Sequence, residues 1–210
     1  SEAEIRRSKQ GIEKMNSVNL DKYSDPFFLG ETKEELRRIR QDFHVHPEIG
    51  LVTPRTSRII ADLLKDYGVD EVHEGVGGDG VVGVIYGKLP GEASVGLRAD
   101  IDALPLKELS NHDHVSQVEG AMHACGHDGH AAALLGAAKK LASERNFGGK
   151  VVLVFQPGEE GWSGAKHMME DGLFERFPMQ EIYAFHNSSA IEPGRIALNY
   201  GAMHVFRGSF

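Results

Sequence analysis

The sequence predicts an α/β fold, a layered sheet flanked by helices, on three observations. Apolar residues recur at helical spacing after "TKEE" and again after "TPRT". Short β-rich runs bounded by glycine or proline appear at "GVVGVIYG", "ASVGLRAD" and "KVVLVFQP". Helical and strand patterns alternate along the chain. In sheets of this kind ligands gather at the carboxyl ends of strands.

Residues 1–30 read as a polar extension that packs Phe27, Phe28 and Leu29 on the main body and carries no chemistry. From Thr32, "TKEE" predicts a capping box in which Thr32 accepts from the helix start and Glu35 reaches back. Leu36, Ile39 and Phe43 follow on one face, and the helix ends by Pro47. A second helix is expected from Thr53 as cap, with Pro54 in the first turn and Gly68 closing it. The runs 80–87 and 93–100 are expected to form a hairpin or neighbouring strands, and a helix is expected over 127–143. The run 150–157 is almost wholly apolar, as a strand buried on both faces should be. A helix in "SGAKHMMEDGLF" stops at Gly172, and "EIYAFHN" and "GRIALNY" supply two more strands.

Composition narrows the function classes. No apolar run approaches the length of a membrane span. A formal charge of -8 argues against nucleic acid, whose phosphates need clustered Lys and Arg. The N-terminus lacks the apolar core of a secretory signal, and one cysteine cannot form an internal disulfide. Both features point to the cytoplasm.

Each apolar run delivers an acid or an imidazole at its end. "GLRADID" ends at Asp100 and Asp102, "VVLVFQPGEE" at Glu159 and Glu160, and "YAFHN" at His186. With Cys125 and His127 at a helix start, these form a set of thiolate, imidazole and carboxylate donors suited to zinc or a similar transition metal. Taken singly, each has a plainer reading. Asp128 caps the helix, His130 is a satisfied surface histidine, "EE" is a solvated face, and Cys125 is inert packing. Taken together these plain readings weaken, because the glycines of "CGHDGH" and "QPGEEG" break the backbone where ligands must turn inward. A closed structural zinc site remains a further reading, although such sites draw on paired cysteines.

The blocks "DFHVHPEIG", "GLRADIDALPL", "GAMHACGHDGHAAALLGAA", "VVLVFQPGEEGWSGAKHMMEDGLF" and "FHNSSAIEPGRIA" resemble, in order, those of the metal-dependent aminoacylase/carboxypeptidase family. The likeness is to its branch of hippurate hydrolases, N-acyl-amino-acid amidohydrolases and indole-acetyl-amino-acid hydrolases. The resemblance covers roughly residues 34–205 and implies a zinc-peptidase-like catalytic domain built on a mixed, mostly parallel sheet. It also implies two divalent ions, Zn, Mn, Co or Ni, held by Cys125 as a bridging thiolate and by His127, Glu160 and His186. Glu159 would be the general base, and Asp102 would support the metal site, with Asp100 adding to the negative field. In that chemistry two cations about 3.5 to 4 Å apart polarise an amide carbonyl and activate water. The substrate would be an N-acyl amino acid or short peptide.

Relatives of this type continue past "GRIALNYGAM" into a lid or dimerisation domain and return with another histidine ligand. Here the expectation is a catalytic portion over 31–205 and a divergent tail over 206–210, with His204 no match for that ligand. Such a chain is expected either to form a homo-oligomer through an open sheet edge or to fail to close a productive site. A non-catalytic metal-binding relic or interaction protein with the same ligands is the alternative to a hydrolase.

Overall fold

The computed structural model describes residues 16–19 and 25–198. The chain divides into two compact units, one of Phe27–His186 and one joining Ser1–Pro26 to Asn187–Phe210. In the second unit, β1 (Asn16–Asn19) pairs antiparallel with a strand at Arg195–Leu198, with Val18 opposite Ile196. The strand expected in "GRIALNY" is therefore present. The 206–210 tail and His204 lie outside the described residues.

The larger unit is a five-stranded mixed sheet between two helical layers. Its helices are α1 (Gly30–Val45), α2 (Pro54–Asp66), α3 (His127–Glu144), α4 (Gly164–Glu170) and α5 (Leu173–Arg176). Its strands are β2 (Glu71–Val76), β3 (Gly80–Tyr86), β4 (Leu89–Asp100), β5 (Gly148–Gln156) and β6 (Glu181–Ala184). The order across the sheet is β2-β3-β5-β4-β6. Pairings β2 with β3 and β3 with β5 are antiparallel, whereas β5 with β4 and β4 with β6 are parallel. Parallel ladders thus make up half of the mixed sheet rather than most of it. Their strands lead into Asp102, Glu159 and Glu160.

Alternation along β3 and β5 divides the core. Val81, Ile85, Leu153 and Phe155 face a layer containing Phe43, Ile60, Leu64 and Leu135 from α1, α2 and α3. Val82, Val84, Val152 and Val154 face Met168, Leu173 and Phe177 on the other side. The run 150–157 is therefore a strand covered on both faces, as its composition predicts.

Three local expectations change. The runs 80–87 and 93–100 are not adjacent, because β5 lies between them and pairs with both. β3 instead forms a hairpin with β2, whose polar sequence "EVHEGV" gave no strand signal. The capping box is absent: α1 starts at Gly30, no side chain caps it, and Thr32 lies inside its first turn. Glu35 turns away to accept from Tyr67 at 2.7 Å and from Lys139, tying α1 to α2 and α3. Thr53 does flank α2, but its side chain makes no cap bond and instead meets the Ser57 hydroxyl at 3.2 Å. Among the described residues, no helix is long and apolar enough to cross a membrane.

Candidate metal centre

The centre lies at the carboxyl ends of the parallel strands. β4 ends at Asp100 and leads to Asp102, β5 ends at Gln156 and leads to Glu159 and Glu160, and His186 follows β6. α3 begins at His127 directly after Cys125 and Gly126, with its amino end at the same place. Two glycines let the backbone turn there. Gly126 has φ +86° and Gly158 has φ +66°, both in the left-handed region that favours glycine, and a Cβ on Gly158 would lie 2.7 Å from Leu51.

His127 is the hub. Cys125, His127 and His186 form one group of donor atoms mutually within 4.8 Å, and His127, Glu159 and Glu160 form another. Cys125 Sγ lies 3.4 Å from His186 Nε2. His127 Nε2 lies 3.9 Å from Glu160 Oε1 and 3.6 Å from Asp100 Oδ2. The sequence-predicted ligands Cys125, His127, Glu160 and His186 therefore converge, and Glu159 stands beside them with an exposed side chain.

Hydrogen bonds fix the orientation of this set. His127 Nδ1 donates to the Asp102 carbonyl at 2.8 Å, which leaves Nε2 as a lone pair. That Nε2 is buried and has no hydrogen-bond partner. A buried imidazole nitrogen, anchored from behind and facing a thiol and carboxylates, is what a divalent cation requires of a ligand. The carboxylate of Asp102 works on the neighbouring loop, accepting the Glu159 N–H at 2.9 Å and the Glu160 N–H at 3.1 Å.

Electrostatics point the same way. Burial, and then the Glu160 carboxylate, push the Cys125 thiol up to about 12, so the thiolate form needs a cation beside it. Burial opposes charge on His127, but its bond to Asp102 and the nearby Asp100 outweigh that and raise its pKa. Asp100 is also buried, which would raise its pKa. The His130 hydrogen bond and the Arg98 charge overcome this and hold it at about 2. The whole pocket draws positive charge. Its sulfur, nitrogen and oxygen donors fit a borderline divalent transition metal, and only one cysteine is used.

Sequence reasoning missed two partners. His130 is not a surface histidine: it is 2% exposed and its Nδ1 lies 2.6 Å from Asp100 Oδ1, making a buried group with His127. Asp128 makes no cap bond to α3. It is buried, with Oδ2 at 2.9 Å from His44 Nδ1 and 3.3 Å from Arg40 Nε. The signal for the second link was present in "DFHVHPEIG", whose His44 received no role.

Comparison with known proteins agrees with this geometry. A hippurate hydrolase of Campylobacter jejuni is 46% identical over 176 residues, covering 84% of this chain and 45% of that protein. Thermostable carboxypeptidase 2 of Saccharolobus solfataricus is 41% identical over 184 residues, covering 86% and 46%. The chain thus spans less than half the length of these curated relatives. Among solved structures, the Bacillus subtilis YXEP protein, described as a dinuclear metal-binding peptidase of the M20 family, aligns with a TM-score of 0.69 and 36% identity. That alignment covers 74% of this chain and 43% of that one. Residues 96–205, a little over half the sequence, match the peptidase family M20/M25/M40, and the chain belongs to that family.

Proposed function

We propose that the chain carries the amino-terminal part, residues 31–205, of the catalytic domain of a divalent-metal-dependent amide hydrolase acting on N-acyl amino acids or short peptides. One observation carries the reading: two donor groups share His127, whose Nε2 is buried, unpartnered and held from behind by Asp102. The relatives' names, hippurate hydrolase and carboxypeptidase, support the substrate class.

Cys125, His127, Glu160 and His186 would hold two divalent ions, with zinc, manganese, cobalt and nickel all compatible with the donors. When bound, such ions supply a polarised carbonyl and a more acidic water. Glu159 takes a proton from the attacking water and returns it to the leaving amine, which a carboxylate beside the ligands can do. Asp102 holds the Glu159 and Glu160 backbone, so the base and the adjacent ligand keep their spacing. Asp100, braced by His130 and Arg98, adds negative charge 3.6 Å from His127 Nε2. A single cysteine used as a ligand suits a reducing compartment such as the cytoplasm.

The test measures metal content and amine release from hippurate and N-acetyl amino acids with added manganese, cobalt or zinc. Glu159→Ala should keep its metal and lose about 10²- to 10⁴-fold in turnover, the range for a lost general base. Normal turnover by that variant removes Glu159 from the role. Stoichiometric metal with no turnover on any acyl amino acid favours the relic reading instead.

A further inference from the structure

A second cluster of potential ligands lies apart from the centre described above. His44, Glu108 and His112 each present one donor atom, and these atoms lie within 4.8 Å of one another. His44 comes from the last turn of α1, and the other two come from segment 101–126, which contains no helix or strand. Unstructured stretches of that length are uncommon in compact domains unless something functional holds them.

Glu108 Oε1 is the focus. His44 Nε2 and His112 Nε2 each lie 3.1 Å from it, and the Ser110 hydroxyl also donates to it. Glu108 Oε2 is occupied separately by the Ser116 N–H at 2.6 Å. The Ser110 hydroxyl also meets His112 Nε2 at 3.0 Å, so both imidazoles, the hydroxyl and the carboxylate converge on one point. Hydrogen bonding also leaves His112 Nδ1 buried without a partner. Bonds of about 2.0 to 2.2 Å from a tetrahedral cation put neighbouring ligand atoms roughly 3.3 to 3.6 Å apart, close to the 3.1 Å between each imidazole nitrogen and Glu108 Oε1. The outer partner is also in place. His44 Nδ1 faces Asp128 Oδ2 at 2.9 Å, and an imidazole that donates there presents Nε2 as a ligand.

We infer that His44, Glu108 and His112 form an additional divalent-cation site, of the two-histidine, one-carboxylate class, that pins segment 101–126 to α1. Zinc is the cation these donors suit best, with solvent at the fourth position on the half-exposed His112 side. The site also braces Asp128, the residue after His127, so a cation bound here stabilises the start of α3. None of its three ligands belongs to the proposed catalytic set, and the two assignments fail independently.

The probe is zinc alone, added to the 210-residue chain. At saturation, equilibrium dialysis should show one zinc fewer per chain in His112→Ala and in Glu108→Gln than in the wild type. Cys125→Ser should leave that zinc bound. Equal zinc content in the wild type and both variants overturns the site. A measurement on the unmodified chain guards against a variant that fails to fold. Zinc should slow carbethoxylation of His112 but not of His73, whose side chain is equally exposed at 36% and lies outside the cluster. Equal modification of His112 with and without zinc also overturns the assignment.

Discussion

Replacing Asp102 by asparagine is the sharpest probe of the proposed catalytic centre, because it keeps the volume and removes one acceptor. The carboxylate is almost fully buried and uses both oxygens, one for the Glu159 N–H at 2.9 Å and one for the Glu160 N–H at 3.1 Å. Oδ1 also lies 3.6 Å from His127 Nδ1. An amide has one oxygen, so its NH2 must face a backbone donor whichever way it turns. One charge-assisted bond disappears and a part-buried N–H is left facing the amide NH2, a loss of about 1 to 3 kcal/mol. Because these groups aim the ligands rather than bind the ion, the loss appears in cation affinity, as a weakening of about 10- to 100-fold. The assay is zinc competition against a chromophoric chelator for wild type and Asp102→Asn, with circular dichroism of both metal-free chains as a control. Affinity within about twofold of the wild type, in a variant that is folded, would refute the argument that Asp102 positions the ligands.

Two further predictions concern the scaffold. Phe155 is fully buried between β5 and the α1–α3 layer, so Phe155→Ala should lower unfolding stability by about 3 to 5 kcal/mol in urea titration, and a loss below about 1 kcal/mol would contradict the packing. Burial would raise the pKa of Glu35, but hydrogen bonds from Lys139 and Tyr67 outweigh it and leave the folded-state pKa below its ordinary value. Its stabilisation is therefore present above about pH 4.3, the unfolded-state value, and fades as pH falls through the lower folded-state value. The stability gap between wild type and Glu35→Gln should be widest near neutral pH and shrink on acidification. A gap that grows in acid would reverse the sign.

Much of the centre was legible because its residues stand where local patterns end. Asp100, Glu159 and His186 each follow an apolar run, and Cys125 and His127 precede a helix whose alanine and leucine spacing is plain in sequence. Strand order was not legible, since whether β4 neighbours β3 or β5 depends on pairings between distant segments rather than on either run. β2 escaped because a half-exposed strand of glutamate, histidine and glycine lacks the apolar alternation that marks strands. The Asp128 partner is 84 residues away in the chain, and a helix-start aspartate has a ready local explanation that hides it. Glu35 was misassigned for the same reason: a local cap was the simpler reading, and Tyr67 and Lys139 supplied a better one through tertiary packing.

The parallel ladder between β4 and β5 sets Asp100 opposite Gln156, and side chains two apart on a strand share a side. Sliding β4 by a single residue would set Ala99 or Ile101 where Asp100 stands, presenting grease where charge is needed. Chemistry in this molecule is therefore a readout of alignment: a chain could collapse to the right shape, one step out of phase, and be blind to its cation.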